Sequence, residues 1–299
     1  MNTTALLPVT VPGSGRILPE GARYMLVSAL GFALMAACVK LVSTRGIPLL
    51  EIVAARSLVS LVISYIDVRR RGLSPWGTQR ALLIARGGIG ALALICVYYA
   101  VTTLPLAEAT LLQYMHPVFT ALLGLLLLKE GIQLSTVICI LLSIAGLIVM
   151  VEPGTITGAS ATLPWFNVSI ALLGAFGSAV AYVLVRRLSP HEDASVIIFY
   201  FPLIALPLSI VLPGDGFVMP DAGSLALLLL VGIFTQIGQL GLTHAMRWET
   251  AGKAAAYSYV QVIFAVALGW ALFNEVPSLW TWLGGALIVS GALLNLVRR

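Results

Sequence analysis

The chain has 299 residues, 60% of them hydrophobic and 10% charged, with a formal net charge of +5 and a mean hydropathy of +1.02. Soluble globular domains carry about 25% charged residues, so the composition excludes a soluble enzyme or a nucleic-acid-binding domain and indicates an all-α integral membrane protein. The positive charge fits the Lys and Arg that collect in the cytoplasmic loops of membrane proteins.

The first twenty or so residues hold Pro, Gly and Ser without a basic segment leading into an apolar one. They read as a disordered cytoplasmic tail over 1–22 rather than a cleaved leader. A membrane helix needs about 20 apolar residues, and such runs recur along the chain. Ten transmembrane helices are expected, near 23–43, 48–67, 80–101, 106–128 and 133–151, then 166–186, 193–212, 224–246, 252–273 and 277–297. The longest connection, 152–165, contains Pro153, Gly154, Gly158 and Pro164 and divides the chain into halves, 23–151 and 166–297. The short alternating segments of a membrane β-barrel are absent. Cys38, Cys96 and Cys139 fall in separate apolar runs without metal-ligand spacing and read as small hydrophobes.

The two halves echo one another. Adding 145 to a residue number takes Gly87 to Gly232, Ala109 to Ala254, Tyr114 to Tyr259, Phe119 to Phe264, Gly124 to Gly269, Glu130 to Glu275 and Gly146 to Gly291, without a gap. Such a register indicates a duplicated unit. With the N-terminus cytoplasmic, the inner side receives Arg16, Arg23, Arg69, Arg70, Arg71, Arg80, Lys129, Arg186, Arg187, Arg247, Lys253, Arg298 and Arg299, and the outer side Lys40 and Arg45. That bias sets orientation. Five spans is an odd number, so the halves enter the membrane in opposite senses. The expected architecture is two inverted five-helix repeats around a central cavity, with a solute site near mid-membrane.

Polar residues inside the spans are candidates for that site, because loose polar groups are costly in lipid. Gln113, His116 and Thr120 share a helix face at i, i+3 and i+7, with Pro117 beside the His. Gln261 is the counterpart of His116, with Tyr257 one turn earlier; Gln236, Gln239, Tyr98 and Tyr99 are placed around them. A lining of amides, hydroxyls and aromatic faces suits a small polar organic solute with an apolar part. The competing reading is packing. Polar groups in spans also bond helix to helix, at about 0.6 kcal/mol each on average. His116 is also a candidate for a coupling proton, since its ordinary pKa of about 6.5 is near working pH.

Among the charged residues, Lys40 closes span one and Glu51 opens span two, so the two are expected to pair. Arg56 either joins Glu51 or presents its charge to a carboxylate, while Arg86 is placed to snorkel. Glu130 and Glu275 sit just past equivalent helices. They are expected to bond backbone amides at the start of the next helix, with gating as their other role. Spans five and ten, nearly devoid of polar residues, read as outer supports or a dimer seam. Gly252-Lys253 lacks the rest of a phosphate loop, so no nucleotide cofactor or metal is expected, and no nucleophile and base converge at one depth as an intramembrane enzyme would need. A channel is the other class.

Ala55-Arg56-Ser57, Leu104-Pro105-Leu106-Ala107-Glu108-Ala109, Pro117, Glu130 and the duplication resemble the EamA family of the drug/metabolite transporter superfamily over residues 22–297. In the second half Arg247-Trp248-Glu249-Thr250 and Val262 depart from the pattern. The resemblance implies a bacterial inner-membrane carrier with both termini cytoplasmic, and a monomer or weak homodimer is expected. It implies a cavity built from spans one, three, four, six, eight and nine. It also implies export of small metabolites, amino acids including aromatic ones first, with a nucleoside or cofactor as the alternative solute.

Overall fold

The structure is a computed structural model that describes residues 20–128, 134–151, 163–211, 216–248, 258 and 260–297. These residues form eleven helices: α1 Glu20–Thr44, α2 Leu49–Arg70, α3 Arg80–Thr103, α4 Leu106–Gln113, α5 His116–Leu128, α6 Leu134–Val151, α7 Trp165–Leu188, α8 Ala194–Val211, α9 Ala222–Trp248, α10 Val260–Phe273 and α11 Leu279–Val297. Six of them, α1, α2, α3, α7, α8 and α9, are long and apolar enough to cross a membrane, and α10 and α11 are shorter apolar helices.

Burial is inverted relative to a soluble protein. Leu92, Leu173 and Ile263 are exposed, while Ser28, Ser57, Ser60, Ser64, Thr235 and Gln236 are buried. That is the surface of a chain solvated by lipid, whose polar groups must find partners inside. Lipid gives helices no hydrophobic reason to associate, so close backbone approach carries the packing. At the α1–α9 crossing, a Cβ on Gly31 would lie 2.9 Å from the Gly238 backbone nitrogen. Ser28 Oγ donates to the Gly238 carbonyl across the same seam, at 2.7 Å. At the α3–α7 seam, a Cβ on Gly177 would lie 2.8 Å from Ala93 Cβ. Ala93 is the register counterpart of Gly238, and Gly177 is within one residue of the counterpart of Gly31. One seam is thus built twice. The α2–α8 and α6–α11 pairs join corresponding helices of the two halves.

Bonds at the helix ends show which way each helix runs. At one end the start of α3 meets the α7–α8 link, where Thr78 N, Thr78 Oγ1 and Gln79 N all donate to Glu192 Oε1 at 2.6 Å. Ser195 donates to Asp67 at the same end, Arg186 reaches the Met246 carbonyl and Tyr24 stacks on His244. At the other end Lys40, Glu275, Leu104 and Leu106 are bonded together, Glu51 accepts from Val218 N, Tyr99 donates to Asn167 and Thr281 to Glu108. It follows that α1 leaves the first end and α7 leaves the second.

The predicted fourth span, 106–128, is two helices. Tyr114 and Met115 form a turn between α4 and α5. The cause is Pro117, which has no N–H to give the carbonyl one turn back and whose ring crowds that carbonyl. Spans five and ten, α6 and α11, pack on each other; a Cβ on Gly146 would lie 2.5 Å from the Gly284 carbonyl oxygen.

The expected Lys40–Glu51 pair is not formed. Lys40 Nζ instead pairs with Glu275 and donates to the Leu104 carbonyl at 3.0 Å. Glu275 reaches it because Asn274 adopts a left-handed φ of 54°, a region Asn tolerates, which reverses the chain after α10. Glu275 also accepts from Leu106 N at 2.8 Å, so it serves the start of α4 and not of the helix that follows it. Cys38 is buried and Cys96 half-buried; Glu130, Cys139's side chain and the link 152–162 lie outside the described residues.

Glu192 offers a pH test. Burial raises its carboxyl, but the hydrogen bonds from Thr78 and Gln79 outweigh that and hold it below the ordinary carboxylate value. A depressed folded-state pKa gives stability that is present above the unfolded value and lost as pH falls through the folded one. Thermal unfolding in detergent from pH 7 down to about pH 3, below the ordinary carboxylate value of 4.5, should show this loss in the wild type. Glu192→Gln should be less stable at pH 7, by about 2 kcal/mol, the upper value for a carboxylate at a helix start, and flatter with pH.

Candidate functional site

A cavity with about 150 Å³ of water-reachable space lies between the halves, lined by side chains of α1, α2, α3, α4, α5, α7, α8 and α9 together with Ser258 and Gln261. Its lining runs from Met25, Arg86, Val185 and Leu242 towards the Glu192 end to Met35, Val97 and Gln113 at mid-bundle. Beyond that lies the Lys40–Glu275 pair.

The break in span four positions one wall. Gln113, the last residue of α4, donates from Nε2 to Ser178 Oγ on α7 at 2.8 Å. Tyr114, in the turn, donates to Gln261 Oε1 at 2.8 Å. His116, the first residue of α5, is buried with its ring centroid 5.5 Å from that of Tyr114 and 4.7 Å from that of Tyr182, and its Nδ1 has no partner among the described residues. Thr120, grouped with these residues by spacing, turns back to the His116 carbonyl.

The opposite wall is charged. Arg56 on α2 is 2% exposed and Arg86 on α3 is 4% exposed. Arg56 Nε donates to Thr235 Oγ1 at 2.8 Å, and Arg86 Nη2 donates to Gln239 Oε1 at 3.1 Å. Among the described residues, the Nη1 groups of both, and Arg86 Nε, have no acceptor. Their guanidinium carbons lie 4.8 Å and 5.1 Å from the centroid of one ring, Phe201 on α8. Cation–π contact of this kind is worth about 2 kcal/mol when desolvated. Among the described residues neither arginine forms an ion pair, and no Asp or Glu lines the cavity. The two carbons are at most about 10 Å apart, where an effective dielectric near 20 leaves a repulsion of about 2 kcal/mol. Two buried guanidiniums held together, with no acid beside them among the described residues, have the chemistry that pairs with an anion.

Of the residues singled out by sequence, Gln113, His116, Gln239, Gln261 and Arg56 line the cavity. Three lie elsewhere. Gln236 is buried and donates to Ser64 Oγ on α2 at 3.0 Å, which is the packing role. Tyr98 is fully buried behind Arg56, 5.6 Å from its guanidinium carbon. Tyr99 bonds Asn167 at 3.3 Å and meets Phe166 edge-on near the Lys40 end. Glu275 belongs to the closure at that end, and Tyr257 and Glu130 lie outside the described residues. Arg86 does not snorkel. About 9 Å from the start of α3 by helix rise, it points inward, and Gly87 and Gly90 beside it were the signal of a close helix contact there. A Cβ on Gly90 would lie 3.0 Å from the Phe201 ring. Phe201, Tyr182 and Ser178 also line the cavity; nothing in their spacing distinguished them from packing residues.

The model of the EamA-like transporter family matches the chain twice, over residues 20–152 and 165–297. Among curated proteins, the chain is similar to the pseudopaline exporter CntI of Pseudomonas aeruginosa, 32% identical over 91% of this chain and 94% of that one. It is similar to solute carrier family 35 member G1 of Mus musculus, 32% identical over 90% of this chain and 76% of that one. An uncharacterised transporter of Helicobacter pylori is 27% identical over 92% of this chain and 93% of its own. A solved crystal structure shares the fold with a TM-score of 0.65 at 19% identity, covering 90% of this chain and 96% of that one. The chain is a multi-pass membrane protein that belongs to the EamA-like transporter family.

Proposed function

We propose that the chain is an alternating-access secondary transporter that moves a small carboxylate-bearing metabolite, with amino acids as first candidates, out of the cell. Ten spans in two inverted five-helix repeats enclose its site, and both termini are cytoplasmic. The opposed directions of α1 and α7 support the inversion. The basic residues at the Glu192 end support the orientation. The similarity to a protein described as an exporter supports the direction.

The observation that carries the reading is the lining itself: two buried guanidiniums with spare donors and, among the described residues, no acid, facing amides and aromatic rings across the cavity. A carboxylate takes the charge, Gln113, Gln261 and Gln239 offer neutral polar contacts, and Tyr182, His116 and Phe201 cover an apolar part. Lys40 with Glu275, bonded across helices of both halves, closes the outer end in this state. Such a pair must part for the site to open outward.

The test is counterflow in proteoliposomes against the amino acids and simple carboxylates. Saturable flux with trans-stimulation is the carrier result, and linear flux is the channel result. A hydrogen bond to a charged group contributes about 1.5–3 kcal/mol, so Arg56→Gln should lower transport by at least about tenfold at equal protein yield. His116→Ala and Gln261→Ala should lower it less. Wild-type flux in all three variants would remove these residues from the site.

A further inference from the structure

We infer that the cavity selects a solute with two carboxylates, one on Arg56 and one on Arg86, over a monocarboxylate or a zwitterion. The inference rests on the transport reading above and names the solute class. Each arginine is more than nine-tenths buried and keeps donors without acceptors. An arginine fork in such a place is matched by a carboxylate. A monoanion satisfies one fork and leaves the other a buried cation without a counter-ion, the costly half of a broken pair.

Phe201 sets the spacing. Both guanidinium carbons lie about 5 Å from its centroid, so they are no more than about 10 Å apart, within reach of the two ends of one short acid. The ring cannot drift towards α3, because it fills the place of the missing Cβ of Gly90. The confined space, about 150 Å³, also suits a short chain. Among the described residues no carboxylate lines the cavity to receive an ammonium group, and an α-amino group would face two like charges. An amino acid that binds well here is one with a second, acidic end.

The experiment is calorimetric titration of the purified full-length protein in detergent with succinate, butyrate and alanine, followed by competition of each against counterflow of the best-transported amino acid. Succinate is expected to bind at least about tenfold more tightly than butyrate, with alanine weaker than succinate. Malonate and glutarate, which bracket succinate in length, read the spacing of the forks. Arg86→Gln should bring succinate down to the level of butyrate, and Arg86→Lys should restore part of the preference. Equal binding of succinate and butyrate by the wild type overturns the inference, whether or not the variants fold. So does full discrimination in a well-folded Arg86→Gln protein. If amino acids are exchanged while succinate neither binds nor competes, the two-carboxylate site is wrong and the carrier stands. If succinate binds selectively but no solute shows saturable exchange, the site stands and the carrier is wrong.

Discussion

Gly31→Leu is expected to yield a protein that no longer unfolds as one species in detergent, and mostly aggregates on size exclusion. A Cβ at Gly31 already lies 2.9 Å from Gly238 N and 3.0 Å from the Phe234 carbonyl oxygen, both backbone atoms that cannot rotate away. The extra Leu carbons force α1 from α9 along the longest seam between the halves, and the Ser28–Gly238 bond goes with it. Overpacking costs about 1–3 kcal/mol where side chains can yield, and here none is available to yield. Gly88→Leu is the control. Gly88 lies mid-helix in α3 with nothing within 4 Å of its added Cβ, so its thermal midpoint should stay near wild type. Equal behaviour of the two variants would refute backbone contact as the source of the packing.

The second large effect is at the closed end. Glu275→Ala removes the partner of Lys40 and the acceptor for Leu106 N together. Lys40 would keep only the Leu104 carbonyl and the Phe273 ring, 5.2 Å away. Breaking a buried pair from one side costs about 3–5 kcal/mol. The Glu275 side chain is 24% exposed, so a loss near the lower value is expected. Replacing both residues by Met should recover part of it, because an apolar pair of similar size is often no less stable than a buried ion pair. Thermal midpoints of Lys40→Met, Glu275→Met and the double of the two close the cycle. A double variant as unstable as Glu275→Ala would mean that the Leu106 amide, not the charge, dominates.

Much of the architecture was readable because lipid imposes it. Helix lengths follow from bilayer thickness and the duplication from an ungapped register, whereas 106–128 read as one span and the break that Pro117 makes in it came only with the fold. What could not be read was the face each side chain takes. Gln236 and Gln239 are three residues apart on α9, yet one bonds Ser64 on α2 and the other bonds Arg86 at the cavity. Tyr98 and Tyr99 are adjacent, and one is sealed behind Arg56 while the other sits by α7. Lys40 had a nearby acid in sequence and chose one 235 positions away, because the repeats interleave and local pairing loses to the partner that folding brings in. Arg86 was misjudged for a related reason: depth in the bilayer does not say whether a cation looks out to headgroups or in to a hollow.

The broken fourth span has one more consequence. Its first piece, α4, is tied at Leu106 and Glu108 to the Glu275 corner and to α11, and bonds α7 at its last residue, Gln113, beside the start of α5, where His116 is laid on Tyr182 of α7. Pro117 has already removed the rung that would make these pieces a single rod. Under the proposed alternating access, a shift of the Glu275 corner is expected to tilt α4 about the Tyr114–Met115 joint without breaking a helix, with the Gln113–Ser178 and Tyr114–Gln261 bonds as the links that must yield.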